Sequence, residues 1–317
     1  MSFAGETRLE LVERTPEAGC CRLASLAALL ILGGRVNFLG QGRYAATISS
    51  EHACVVRYAD RLARLAADLA GEFAAVRTAQ LGERVKYQLT FRDADAVSLI
   101  RALGLWDERA PFCVSGKPEA SMLRRLCCQR AYLKGAFLAC GWIKPPETAY
   151  RAELAAPDRA QAEHLARILR KNGVSARISP RKTQHVVYFQ EGEMVSTFLK
   201  LIGANRSVLR MENARALREV RNSVNRQVNC DARNLEAVVS AAQRQVADIL
   251  YLKQRGALEK LPPPLKQIAE ARLNNTEVSL AELGELLDPP IGKSGVNNRL
   301  RRLTAMAEEM RGARGEG

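Results

Sequence analysis

Residues Cys127–Ile143 read CCQRAYLKGAFLACGWI, and residues Cys20–Val36 read CCRLASLAALLILGGRV. Aligned on the paired cysteines, Leu26 falls on Leu133, Ala28 on Gly135, Gly34 on Gly141 and Val36 on Ile143. Each stretch has the composition of an apolar helix with small residues, closed by a glycine and followed by a strand-like residue. A helix duplicated in this way predicts two pseudo-repeats that pack through it.

The flanking sequence repeats in the same order. After the first copy come strand-like Val36–Leu39 and Tyr44–Ile48, turning at Gly40-Gln41-Gly42. A stretch of helical period follows from His52 to Leu69, with Val55, Val56, Ala59, Leu62, Ala63 and Ala66 three and four apart. A second strand pair, Phe73–Thr78 and Val85–Phe91, turns at Gly82-Glu83, and a helix from Ala94 to Leu103 stops at Gly104. The second copy leads to strands Trp142–Ile143 and Ala149–Leu154, then a helix from Asp158 to Lys171. Strands Ser175–Ile178 and His185–Gln190 and a helix from Met194 to Ile202 complete it. The fold class expected is α+β, a tandem αββαββα pseudo-repeat over about 20–106 and 127–204 within a domain spanning 1–212.

This order, with Leu133-Lys134-Gly135-Ala136-Phe137-Leu138-Ala139-Cys140-Gly141 over the nine motif positions, resembles the LAGLIDADG homing endonuclease fold. The resemblance implies two motif helices packed at a pseudo-twofold axis, where small residues let backbones approach, and saddle-shaped antiparallel sheets that lie on DNA. Endonucleases of that kind need an acid before the last motif glycine to gather divalent metal. Here those positions are Gly33 and Cys140, and the preceding candidates are Leu32 and Leu138. The residue types count against the nuclease reading, and no catalytic residue, metal or cofactor is expected.

Composition favours a polyanionic partner. The 317 residues carry a formal net charge of +14, as expected of a chain that binds nucleic acid. Arg35, Arg43, Arg77, Arg84, Lys86 and Arg92 lie on or beside the first unit's strands; Lys144, Arg151, Arg177, Arg181 and Lys182 do so in the second. Of these, Arg43, Arg77, Lys86, Arg151, Arg177 and Lys182 are the candidate saddle contacts. The eight cysteines include two adjacent pairs and no C-x-x-C, which points to small buried thiols in a reducing cytosol. No signal peptide is visible near Met1, and the apolar run around Leu23–Leu32 is about half a membrane span. A cytoplasmic, nucleoid-associated protein is expected.

Beyond the repeat, residues 213–232 form a basic, Asn-rich stretch read as a linker, with Arg221, Asn222, Asn225 and Arg226 as candidate phosphate contacts. A helical domain over 233–317 follows, beginning with a helix from Leu235 to about Leu252. Ser279 and Glu282 have the spacing of a capping box, and Asp288-Pro289-Pro290-Ile291-Gly292 breaks the helix they start. A last helix, capped by Ser294, carries Lys293, Asn297, Asn298, Arg299, Arg301 and Arg302. The pattern over about 279–312 is a helix-turn-helix, whose second helix would meet base edges.

An endonuclease-like repeat without its acids, then an Asn-rich basic stretch and a helix-turn-helix, resembles the WhiA family. The motifs that carry the likeness are Met1-Ser2-Phe3, Cys20-Cys21-Arg22, Cys127-Cys128, Arg221 to Arg226, Asn229-Cys230, and Glu282 to Asn297. The chain departs from the family at Trp142-Ile143-Lys144 and in its short, Ala-rich first motif. The resemblance implies a DNA-binding transcriptional regulator acting in cell division and chromosome segregation, or in sporulation septation. Double-stranded DNA is the partner expected, with transcription or cell-division proteins as further candidates. A homing endonuclease and a division-machinery interaction module are the alternatives.

Overall fold

The computed structural model describes residues 2–78, 84–106 and 116–312. Two compact units divide at Arg218 and Glu219. The first begins with α1 (Phe3–Glu13), started by Ser2, whose Oγ accepts from the Gly5 amide at 3.2 Å. Then follow α2 (Gly19–Gly33), β1 (Gly34–Gly40), β2 (Arg43–Ser50), α3 (Ala53–Ala67), β3 (Glu72–Thr78), β4 (Arg84–Arg92) and α4 (Asp93–Ala102). The order recurs as α5 (Leu126–Cys140), β5 (Gly141–Ile143), β6 (Ala152–Ala156), α6 (Arg159–Lys171), β7 (Arg177–Arg181), β8 (Gln184–Phe189) and α7 (Gly192–Ile202). The expected turn at Gly82-Glu83 and the connector around Pro111 lie outside the described residues.

Each repeat makes a four-stranded antiparallel sheet, in the orders β1-β2-β4-β3 and β5-β6-β8-β7. The motif helices α2 and α5, 15 residues each, pack against one another at the centre. Gly135 makes this approach possible: a Cβ there would stand 2.3 Å from the Ser25 carbonyl oxygen and 2.9 Å from Ala28 Cβ. At the other end Gly33 lies on Ala139. Gly141, the last glycine of the second motif, packs on Phe137 just before it rather than on α2. Ala24, Leu26, Ala28, Leu133, Ala136 and Phe137 are fully buried there, continuous with Ile48, Leu89, Leu154 and Val187 of the sheets.

The inner face of α1 is Phe3, Ala4, Thr7, Glu10 and Leu11, with Val12 packed partly buried beside it and Leu9 exposed. Glu10 accepts from the amides of Arg206 (2.6 Å) and Ser207 (3.1 Å) and from the Ser207 hydroxyl (2.8 Å). Those amides open α8 (Asn205–Gln254), where first-turn N–H groups have no intrahelical acceptor. Arg206 pairs with Glu13, and Arg210 with Glu6 and Glu147.

Helix α8 is unbroken over 50 residues, so the stretch expected to be a linker is helical throughout. No glycine or proline interrupts it, and its asparagines are interspersed with Arg, Ala and Leu of better helix propensity. The second unit adds a 3₁₀ turn (Leu258–Lys260), α9 (Pro263–Asn274), α10 (Leu280–Glu285) and α11 (Lys293–Gly312). Its own core joins Ile249, Leu252, Leu265, Ile268, Leu283, Val296, Leu300 and Leu303.

Candidate nucleic-acid interface

The α10–turn–α11 element is built from local rules. Ser279 Oγ accepts from the Glu282 amide at 3.3 Å, and the Glu282 carboxylate accepts from the Ser279 amide at 2.8 Å, completing the capping box. The turn then folds back onto α10. Ile291 donates its amide to the Gly284 carbonyl at 3.1 Å, and a Cβ on Gly284 would lie 2.1 Å from the Ile291 carbonyl oxygen. Arg272, nearly fully buried, donates from Nη1 to the Val278 carbonyl at 2.8 Å and so ties the end of α9 to the start of α10. Sequence reasoning passed over Arg272, whose role is in this turn.

Helix α11 buries Val296, Leu300, Leu303 and Ala307. Lys293, Ser294, Asn297, Asn298, Arg301 and Arg302 are exposed, and Arg299 is half-buried. The helix begins at Lys293, so Ser294 stands within the first turn and is not its cap. Among the described residues none of these cations has a carboxylate partner. Arg311 differs: it pairs with Asp248 at 2.8 Å and stacks over the Tyr251 ring at 4.7 Å, holding the end of α11 to α8.

On α8, Arg221, Asn222, Asn225, Arg226 and Asn229 are all exposed. At about 100° per residue they share one side of the helix. Leu217, Val220, Val224 and Val228, also exposed, line the other.

Strand register sorts the saddle candidates. In the first sheet the helix-facing side is Ala46, Ile48, Leu89 and Phe91, so Thr47 and Thr90, whose hydroxyls meet at 3.2 Å, lie on the open face. Arg35 pairs with Thr47, and Arg43 and Lys86 alternate onto the same face. Arg77 does not. It pairs with Val85, on the side of Phe73 and Leu89, and is therefore removed from the saddle contacts. Arg92 reaches the open face but is paired with Glu72 at 3.1 Å. The side chain of Arg84 lies outside the described residues.

In the second sheet Ile143, Ala152, Leu154, Val187 and Phe189 face the helices, leaving Trp142, Arg151, Glu153, Arg177, Tyr188 and Arg181 on the open face. Glu153, which sequence reasoning missed, pairs with both Arg151 (2.6 Å) and Arg181 (3.2 Å), while Arg151 also lies 4.8 Å over the Tyr188 ring. The free charge of this face therefore rests on Arg177 and Lys144, and on Lys182 in the β7–β8 turn. Trp142, noted as a departure in the sequence, is exposed among them.

Where an endonuclease would gather metal, a cavity of about 470 Å³ is lined by Arg8, Gly33, Ser49, Glu51, His52, Lys86 and Cys140, among others. Cys140 donates to the Ala136 carbonyl at 3.2 Å, and burial pushes its thiol up to about 12. Arg8 donates to the Gly141 carbonyl and lies 5.5 Å from the centre of the Phe137 ring. One carboxylate, Glu51, lines the cavity beside a guanidinium and a protonated thiol. That donor set does not fit a hard divalent cation, which takes several oxygen ligands.

Two family profiles match the chain: the WhiA C-terminal HTH domain over residues 224–307 and the WhiA LAGLIDADG-like domain over residues 129–221. The "Probable cell division protein WhiA" of Heliobacterium modesticaldum is 38% identical over 97% of this chain and 96% of its own length. That of Desulforudis audaxviator is 40% identical over 99% of both. The chain belongs to the WhiA family. Both relatives are named as WhiA cell division proteins, not as enzymes. A crystal structure of full-length DUF199/WhiA from Thermatoga maritima shares the fold, with a TM-score of 0.58 at 20% identity over 98% of this chain and 99% of that one. No helix among the described residues is long and apolar enough to cross a membrane.

Proposed function

We propose that this WhiA family member is a non-catalytic regulator that binds duplex DNA and controls transcription in cell division and chromosome segregation, or in sporulation. The observation that carries the reading is the exposed face of α11, where Lys293, Ser294, Asn297, Asn298, Arg301 and Arg302 stand free opposite the buried stripe. Asn and Arg are the side chains that read adenine and guanine edges bidentately in the major groove. Arg221, Asn222, Asn225 and Arg226 add phosphate contacts that position the protein without reading sequence. Arg43, Lys86, Arg177 and Lys182 offer a further salt-sensitive surface. The cavity at Cys140 and Arg8 supports a scaffold that binds without cutting. The reading places the protein in the cytoplasm, on the nucleoid, with transcription or division proteins as additional partners.

Footprinting the wild type against an Asn297→Ala/Arg301→Ala variant tests it. A discrete protected site in the wild type, lost in the variant, is the expected result; equal protection by both removes α11 as the reading element. Arg221→Ala/Arg226→Ala should weaken binding to all sequences alike and reduce the salt slope by about 2, since each phosphate contact contributes about 1. A division-machinery module that touches DNA incidentally would show no discrete footprint at all.

A further inference from the structure

The two cysteine pairs, 107 positions apart in sequence, meet in space. Cys20 and Cys21 occupy the first turn of α2, and Cys127 and Cys128 the first turn of α5. The four Sγ atoms all lie within 4.8 Å of one another, with Cys127 and Cys128 at 4.0 Å. Cys21 and Cys128 are buried, Cys20 is half-buried and Cys127 is exposed.

That spacing is close to the edge length of a coordination tetrahedron. With zinc–sulfur bonds of about 2.3 Å, the sulfur–sulfur edge is about 3.8 Å. Closing the observed cluster to that size takes movements of about 1 Å or less at side chains with one free rotor each. We infer that these four side chains hold one thiophilic divalent cation, zinc in the cell, as a structural all-thiolate site joining the two motif helices.

The surroundings suit the charge. Four thiolates and one divalent ion sum to a double negative charge, and the cluster sits at two helix starts, each with a partial positive charge of about half a unit. Neither start has a side-chain cap. Arg125, just before α5, lines the same cavity as Cys20 and adds a full positive charge there. On binding the cation each ligating thiol releases its proton to solvent. A cavity of about 530 Å³ lined in part by Cys20, Cys128, Arg124 and Arg125 gives the ion a way in. The absence of C-x-x-C hides the site from spacing rules, because the pairs are contributed by separate repeats.

The test uses the full chain, purified with its thiols protected from cells supplied with zinc. Elemental analysis should find about one zinc per chain, as a closed four-cysteine site requires. After zinc removal, cobalt(II) should bind with a sulfur-to-cobalt charge-transfer band in the near ultraviolet and the visible ligand-field bands of tetrahedral geometry. Cys20→Ser/Cys127→Ser, which alters only the two more accessible sulfurs, should lose both the zinc and the spectrum while its far-ultraviolet circular dichroism matches the metal-free wild type. If that variant does not fold, the cobalt spectrum of the wild type decides alone. Wild-type protein that carries no stoichiometric zinc and gives no charge-transfer band overturns the proposal. So does a Cys20–Cys128 or Cys21–Cys127 disulfide found by mass spectrometry after alkylation during lysis.

Discussion

Replacing Gly284 by alanine should unmake the turn that sets α11. The added Cβ would stand 2.1 Å from the Ile291 carbonyl oxygen, more than 1 Å short of the 3.4 Å at which ordinary contact begins. The obstacle is backbone, so the turn itself must move, and with it the Ile291 amide that donates to the Gly284 carbonyl. Overpacking of this kind costs about 1–3 kcal/mol and the hydrogen bond about 0.5–1.5 kcal/mol, for a total of about 1.5–4.5 kcal/mol. For a unit the size of Glu219–Gly317, each kcal/mol lowers the melting point by about 4–8 °C. Calorimetry on the full chain should therefore show the transition of that unit at least about 6 °C lower, with faster hydrogen exchange at the Ile291 amide. Gly292→Ser is the matched control: its Cβ enters open space and serine is favoured just before a helix, so no loss is expected. A Gly284→Ala protein that melts within about 1 °C of wild type, with Ile291 still protected, would refute the reasoning.

Three further substitutions probe the first unit. Glu10→Gln removes a carboxylate that accepts from two backbone amides and a hydroxyl, and should cost about 1–3 kcal/mol by urea midpoint; Glu13→Gln, in an exposed pair with Arg206, should cost under about 1 kcal/mol. Gly135→Ala drives a methyl against the Ser25 carbonyl and should cost about 1–3 kcal/mol in the same assay, whereas Gly19→Ala, facing open space, should not. Burial pushes His164 down to about 4, with its Nε2 unpartnered and its ring 5.8 Å from Tyr132. The neutral form is the folded one, so its contribution is complete above about 6.5, the ordinary histidine value, and is lost as pH falls toward 4. Between pH 7 and pH 4 the wild type should lose about 1–2 kcal/mol more than His164→Phe, the partial exposure of the ring reducing the full linkage value; parallel pH curves would remove histidine from the account.

Much of the first unit was legible because duplication writes the same packing problem twice. The 107-residue offset that aligns Leu26 with Leu133 also aligns the ends of α2 and α5. The capping signal at Ser279 and Glu282 acted locally and formed. What escaped depended on partners distant in sequence. Strand β3, Glu-Phe-Ala-Ala-Val-Arg-Thr, carries apolar residues on both faces, so its alternation did not place Arg77; only pairing with Val85 does. Glu153 looked like one acid among many until two arginines converged on it. Asparagine-rich composition suggested an interruption in α8, but without glycine or proline nothing in the backbone required one. The candidate recognition residues on α11 were legible for the opposite reason: a 3.6-residue period places Asn297 and Arg301 opposite Val296 and Leu300 without help from any other element.

The grip of Glu10 on the opening amides of α8 joins the first helix of the unit to its last, across nearly 200 positions. Such a contact is as non-local as this unit allows, and non-local contacts slow folding because the loop must close before they reward it. During synthesis the two repeats can form their sheets in turn, but the acids of α1 have no donors to meet until Arg206, Ser207 and Arg210 have emerged. The clasp is therefore the last contact of α1 to close in biogenesis: in a chain stalled before α8 the helix still meets α3 and α5, but its Glu10 carboxylate has no donor, and that unpaired acid leaves the edge of the unit open to proteases and chaperones.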